Sequence, residues 1–213
     1  ADGKHFLITS EKDGYNHIYM YDLKGNLVKQ ITTGNYDVVR IAGIDEKNKK
    51  IYYTSKESSP INTDLYVINF DGKKKTKLSD KPGTYSASFS NGCHYYISNF
   101  TDANTPPIYT IHNAKGKQLV MLQDNASLAK KMKEYGNETK TFGTLTTSEG
   151  ISLNYYIIKP ANFDSTHRYP LFFYVYGGPG NQQVTNRYGG SDYYWHRMLA
   201  QKGYIVVCID GRG

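Results

Sequence analysis

Three stretches decide the fold of the first half of the chain: Ile18-Tyr-Met-Tyr-Asp-Leu-Lys-Gly25, Leu65-Tyr-Val-Ile-Asn-Phe-Asp-Gly72 and Ile108-Tyr-Thr-Ile-His-Asn-Ala-Lys-Gly116. Each opens on an aliphatic–Tyr pair, runs into a glycine and returns with an apolar residue six positions later, at Ile31, Leu78 and Leu122. An aromatic and β-branched run, a glycine free to take positive φ and a returning apolar run make a β-hairpin. Working outward, residues 38–44 and 50–54 flank the polar turn 45–48, and residues 85–89 and 94–97 flank Ser90-Asn91-Gly92. Each unit therefore holds four short strands. Tyr19, Tyr66 and Tyr109 are spaced by 47 and then 43 residues, the repeat length of a propeller blade. A plain antiparallel sandwich is the alternative, and three repeats with matched internal spacing weigh against it. Residues 1–34 make most of one blade and two more follow. A closed propeller needs about 4–8 blades, so further blades are expected upstream of residue 1.

The composition agrees. The 213 residues hold 21 Tyr, 8 Phe and 20 Gly, a mixture suited to many short strands and tight turns. A charged fraction of 21% and a hydrophobic fraction of 38% describe a folded chain rather than a disordered one. The net charge of +7 raises the question of a nucleic-acid partner. The lysines instead lie in polar turns, such as Lys73-Lys74-Lys75 and Lys47-Asn48-Lys49-Lys50, with no arginine-rich helix or nucleic-acid motif beside them. The reading is a solvated surface and no nucleic acid. Two cysteines, Cys93 and Cys208, make no disulfide framework; Cys208 lies in an apolar run and reads as a buried thiol. A bridge between them is left open, as is the compartment. No apolar run reaches membrane-spanning length, and no signal peptide is visible.

The pattern changes at Asp124-Asn125. Leu128, Met132 and Tyr135 recur at helical spacing, which predicts a short surface helix over 126–135, capped by Asp124 or Asn125 and ended by Gly136. Residues 141–147 and 151–159, joined by Ser148-Glu149-Gly150, read as an antiparallel hairpin stopped by Pro160. Tyr169-Pro-Leu-Phe-Phe-Tyr-Val-Tyr176 is nearly continuous in apolar residues, which predicts a strand buried on both faces. It ends in Gly177-Gly-Pro-Gly180. A helix over 193–202 follows, with Trp195, Met198 and Leu199 on one face and Gly203 as its cap. A second buried strand, 204–209, then leads to Asp210-Gly-Arg-Gly213. Strand, glycine loop, helix and strand make a βαβ unit with a right-handed crossover. The loop lacks the Gly-Lys-Ser/Thr of a P-loop and the spacing of the dinucleotide fingerprint. It fits the glycine-rich oxyanion loop that follows an early strand in α/β-hydrolases.

The ordered set Asp13-Gly-Tyr-Asn-His-Ile-Tyr19, Tyr85-Ser-Ala-Ser-Phe-Ser90, Pro106-Pro107 with Tyr109, Asp124-Asn125, Phe163-Asp164 leading to Tyr169-Pro170, Val175-Tyr-Gly-Gly-Pro179 and Asp210-Gly-Arg-Gly213 resembles the dipeptidyl peptidase IV branch of the prolyl oligopeptidase family, along nearly the whole chain. The resemblance implies a mainly β fold: C-terminal propeller blades over 1–123, a linker helix over 124–138, and the first part of an α/β-hydrolase domain over 139–213, cut before the catalytic serine. It implies a serine exopeptidase that removes N-terminal dipeptides ending in Pro or Ala, acting through a Ser-His-Asp triad with no cofactor and no metal. Tyr176 matches the family's oxyanion tyrosine. The alternative is that Tyr176 merely ends a buried strand; its place at the C-terminal end of that strand, where open α/β sheets bind ligands, favours the functional role. Arg187, in the following loop, is a candidate substrate contact. Asp210 and Arg212 are read as shaping a turn beneath the site. The resemblance further implies peptide substrates, a homodimer and an extracytoplasmic location.

No Gly-x-Ser-x-Gly occurs in the 213 residues. Ser191 follows Gly189-Gly190 without a glycine two places on, and the triad order Ser, Asp, His puts all three beyond Asp210. His196 therefore reads as a surface or packing residue, and the glutamates and arginine that hold a substrate's amino terminus in the family fall upstream of residue 1. The chain alone is expected to be inactive. Two rivals remain: a prolyl tripeptidyl peptidase of the same branch, and a non-catalytic scaffold that has lost its serine.

Overall fold

The three glycine turns close in the same way. Asp22, Asn69 and Asn113 each donate their N–H to the carbonyl four residues on, at Asn26, Lys73 and Lys117, each at 3.0 Å. The glycines take φ of 84°, 73° and 87°, a backbone that a β-carbon would strain. At the first turn Asp22 Oδ1 also accepts the N–H groups of Lys24 and Asn26, and at the third Asn113 Oδ1 accepts those of Lys115 and Lys117. The short Asx side chain thus fixes the register that the glycine permits.

This computed structural model describes residues 3–178 and 180–212. Pro179 of the glycine motif, the terminal Gly213 and the first two residues lie outside the described residues. The chain divides into two compact units: residues 1–100 with 108–124, and residues 101–107 with 125–213.

In the first unit, strands β1 (His5–Ser10), β2 (His17–Asp22) and β3 (Leu27–Gln30) form one antiparallel sheet. Strands β4 (Val38–Asp45), β5 (Lys50–Ser55), β6 (Asp64–Asn69) and β7 (Thr76–Lys77) form a second, and β8 (Thr84–Phe89), β9 (Tyr95–Thr101), β10 (Ile108–Asn113) and β11 (Gln118–Gln123) a third. In each, neighbours in sequence are neighbours in the sheet, as the repeat requires. The middle sheet is covered on both faces. Ile51, Tyr53, Tyr66 and Ile68 pack with Ile18, Met20 and Ile31 of the first sheet. The alternate residues Tyr52, Leu65 and Val67 pack with Tyr85, Phe89, Cys93 and Tyr96 on the third. Period-two alternation sends successive side chains to opposite sheets, so β5 and β6 are buried along almost their whole length. The outer strands differ: Phe6 and Ile8 on one side, and Leu119, Val120, Met121 and Leu122 on the other, stay exposed.

A side-chain latch repeats with the blades. His17 Nδ1 lies 3.1 Å from Thr32 Oγ1, which also accepts the N–H of Ile18. Forty-seven residues on, Asp64 accepts Ser79 Oγ at 2.7 Å, and Ser79 Oγ accepts the N–H of Leu65. The third repeat carries Pro107 and Leu122 at the matching positions and has no such pair.

Gly43 explains a shift in register in β4, between Ile41 and Gly43. A β-carbon there would lie 2.9 Å from the Phe89 ring and 3.1 Å from Cys93 Sγ. Gly43→Ala is expected to lower the unfolding free energy by about 1–3 kcal/mol, the usual cost of overpacking a filled core. Chemical denaturation reads this directly, and an unchanged midpoint would mean that the sheets slide apart at no cost.

In the second unit, helix α1 (Ala126–Glu134) precedes β12 (Lys140–Thr146) and β13 (Ser152–Ile158), with β14 (Leu171–Tyr174), helix α2 (Tyr193–Gln201) and β15 (Ile205–Ile209) after them. The sheet order is β12-β13-β15-β14; β14 and β15 are parallel and the other pairs antiparallel. The expected hairpin and the strand–helix–strand unit are both present.

Three expectations need correction. Asn125 makes no side-chain cap at the start of α1; it turns left-handed (φ 52°) and donates its amide to the Pro107 carbonyl at 2.6 Å. β14 is not buried on both faces: Phe172 and Tyr174 face α2 through His196, whereas Leu171, Phe173 and Val175 are exposed. One helix covers one face only, and among the described residues nothing covers the other. α2 also buries a different face from the one expected: Tyr193, His196, Arg197 and Ala200 are inside, and Trp195 is 52% exposed. The buried set has helical spacing but includes two basic residues. Arg197 is admitted because Tyr193 Oη (3.1 Å), the Gly136 carbonyl (2.6 Å) and Glu138 (3.8 Å) accept its charge.

Candidate functional site

The loop after β14 is held by the carboxylate that ends the neighbouring parallel strand. Asp210 Oδ1 accepts the N–H groups of Gln183 at 2.8 Å and Val184 at 3.0 Å, and Val184 is fully buried. Of the two motif residues read as shaping a turn, Asp210 holds the loop beyond the glycines and Arg212 does not touch it. Arg212 reaches only Glu149, at 3.6 Å on the surface. Further along, the Asn186 side chain accepts the N–H of Ala103 at 2.9 Å, and the N–H of Tyr188 donates to Thr101 Oγ1 at 3.3 Å.

Tyr176 stands where β14 has ended and is 47% exposed. Its ring lies across Gly178, where a β-carbon would come within 2.8 Å of the ring and 3.0 Å of the hydroxyl. Gly178 thus leaves room for the aromatic ring to fold over the loop. A tyrosine hydroxyl is a hydrogen-bond donor as well as an acceptor.

Arg187 is placed elsewhere. It lines a cavity of about 210 Å³ at the start of α2, together with Lys140, Tyr156, Asp192, Tyr193 and His196; Tyr176 is not in its wall. The two candidate residues do not share this cavity. Ser191 donates to its neighbour Asp192 at 3.1 Å and is exposed.

Sequence reasoning missed Lys140 and His196 as parts of one cluster. Lys140 is locked through its backbone, which exchanges two hydrogen bonds with the Asn104 side chain at 2.9 and 3.0 Å. Its ammonium lies 4.6 Å from the centre of the Tyr156 ring and 5.9 Å from that of Tyr193, and burial pulls it below the usual lysine range. His196 is 4% exposed. It is surrounded by Tyr156, Phe172 and Tyr174, and Tyr156 Oη lies 3.1 Å from its Nδ1. The helical spacing of Tyr193, His196, Arg197 and Ala200 was the available signal. Burial also holds the imidazole below its ordinary value of 6.5, so the folded protein keeps it neutral while the unfolded chain takes up a proton. This stability is complete above pH 6.5 and is lost as the pH falls from there toward the folded-state value. Thermal unfolding at pH ~7.5 and ~5.5 should show a drop that is smaller in His196→Gln. An equal drop in both proteins would place the acid sensitivity elsewhere.

Both cysteines are buried and free, and burial pushes the Cys208 thiol up to about 11, which keeps it a thiol. Among the described residues no group of three or more His, Cys, Asp or Glu side chains could hold a metal ion, and no helix is long and apolar enough to cross a membrane.

One three-stranded and two four-stranded antiparallel sheets, followed by a mixed sheet with a glycine loop, define the class: a β-propeller region leading into an α/β unit. Residues 1–107 match the family model of the dipeptidyl peptidase IV (DPP IV) N-terminal region, and the chain belongs to that family. All of the chain superposes on the crystal structure of Porphyromonas gingivalis dipeptidyl peptidase 4 with a TM-score of 0.91 and 41% identity, covering 30% of that chain. The chain is 33% identical over its full length to a probable dipeptidyl peptidase 4 of Arthroderma benhamiae, covering 28% of it. It is 31% identical over 98% of its length to a probable dipeptidyl-aminopeptidase B of Arthroderma otae, covering 23% of it. It therefore spans between about a quarter and a third of the length of these relatives.

Proposed function

We propose that the 213 residues belong to a serine exopeptidase that removes N-terminal dipeptides with Pro or Ala in second place. The observation that carries this reading is the correspondence of the whole chain, at 41% identity and a TM-score of 0.91, with a dipeptidyl peptidase 4. Residues 1–123 are the last propeller blades, 124–138 a linker helix and 139–213 the opening of the hydrolase domain. The bare apolar faces support this division. Leu119–Leu122 at one edge of the first unit, and Leu171, Phe173 and Val175 on the second, are surfaces that further blades and further helices would cover.

In this reading a serine and its His-Asp partners attack the carbonyl after the second residue. Tyr176 donates its hydroxyl to the oxyanion as charge develops there. The 213 residues contain no Gly-x-Ser-x-Gly, so hydrolysis belongs to the longer protein and the isolated chain is inactive. Homodimerisation and an extracytoplasmic location rest on the family resemblance alone. A fluorophosphonate probe tests the serine type. The intact protein should be labelled at one serine, and the 213-residue chain should not. An intact, folded protein that takes up no label would instead be a binding scaffold.

A further inference from the structure

We infer that the cavity at the start of α2 is a binding site for a small monocarboxylate, held by Lys140, Arg187 and His196. The cavity is about 210 Å³, smaller than the roughly 300–1,000 Å³ of pockets for drug-sized ligands. It suits a group the size of one amino-acid residue.

Three donors face it without a protein anion to bind. No carboxylate among the described residues lies within the 4 Å of an ion pair from the Lys140 ammonium or the Arg187 guanidinium. The third donor follows from the hydrogen bond between Tyr156 and His196. Burial pushes the Tyr156 hydroxyl far above its ordinary value, so it keeps its proton. An imidazole nitrogen accepts that proton better than the sulfur of Cys208 does, so Nδ1 is the acceptor at 3.1 Å. The ring proton of the neutral imidazole is then on Nε2. This N–H makes no hydrogen bond among the described residues, in a side chain 4% exposed that lines the cavity. The nitrogen opens on the cavity rather than being enclosed, so an acceptor seated there can take this N–H.

The charge count selects the ligand. Lys140 and Arg187 are positive, Asp192 is the one acid in the lining, and His196 is neutral. The balance of one positive charge matches a monoanion. Two carboxylate oxygens suit convergent N–H donors, and the faces of Tyr156, Tyr174 and Tyr193 would receive the carbon stem. A phosphate dianion would leave one charge unmatched beside Asp192. This inference does not rest on the peptidase reading, since binding is measured without turnover.

The test is calorimetric titration of the intact protein at neutral pH with N-acetylglycine, acetate and inorganic phosphate. N-acetylglycine should bind, and Lys140→Met and Arg187→Gln should each weaken it about tenfold or more, the loss of one charge-assisted contact. Both variants keep the aliphatic stem, and their melting temperatures establish that they remain folded. Tighter binding of N-acetylglycine than of acetate names a peptide C-terminus as the ligand, and equal binding a free carboxylic acid; both uphold the site. No binding, phosphate binding at least as tightly, or folded variants that bind as well as the parent would overturn it.

Discussion

Tyr176→Phe in the intact protein is expected to lower kcat on a Gly-Pro-anilide by roughly 10²–10³-fold with little change in KM, the loss that follows removal of one oxyanion donor. The ring sits over Gly178 and is exposed. Phenylalanine therefore keeps the packing, and only the hydroxyl is lost. Melting temperature should be unchanged. If Tyr176 merely ends a strand, neither kcat nor KM moves. A parallel rise in KM would mean that the hydroxyl binds substrate and transition state alike. A matching loss in Gly178→Ala is expected by another route, because the new β-carbon displaces the ring from its place.

Asp64→Ala is expected to lower the unfolding free energy by about 3 kcal/mol, in the range for removing a buried carboxylate that accepts two hydroxyl hydrogen bonds. The Asp64 carboxylate is 1% exposed. It meets Lys77 at 2.9 Å and Ser79 Oγ at 2.7 Å, with Ser58 Oγ as a third partner. Through Ser79 it also sets the start of β6, since Ser79 Oγ accepts the N–H of Leu65. Asp64→Asn keeps one carbonyl acceptor for Ser79 Oγ but loses the charge and the second acceptor oxygen, where Ser58 Oγ donates, so it should fall between the parent and Asp64→Ala. Urea unfolding with an unchanged slope gives the difference. A loss below about 1 kcal/mol in Asp64→Ala would mean that the latch is ornamental and that the hydrophobic faces alone hold the blades in register.

The repeat was legible because hairpin turns depend on local chemistry. Gly25, Gly72 and Gly116 follow Tyr19, Tyr66 and Tyr109 by six, six and seven residues, and the same closing hydrogen bond forms at all three. The latch was harder to see. Its members lie 15 residues apart, and His17 with Thr32 shares no residue type with Asp64 and Ser79.

In the second unit, apolarity alone misled. The run from Tyr169 to Tyr176 looked buried on both faces, yet Leu171 and Phe173 point away from α2. Whether a face is covered depends on what packs there, which a run of apolar residues does not state. The buried face of α2 was missed for the converse reason. His196 and Arg197 count as polar in any periodicity, and they are buried only because Tyr156, Tyr193, Gly136 and Glu138 meet them from elsewhere in the chain. Tyr176 was found through its motif and stands half-exposed just beyond the end of β14. Arg187 was found through its loop and lines a cavity whose wall does not include Tyr176.

The most direct test of the central claim is hydrolysis by the intact protein of Gly-Pro-anilide beside a tripeptidyl-Pro-anilide blocked against stepwise dipeptide removal. Release of anilide from the dipeptide substrate alone is the result expected of a dipeptidyl peptidase. Cleavage of only the longer substrate, or of neither by a folded protein, would contradict it.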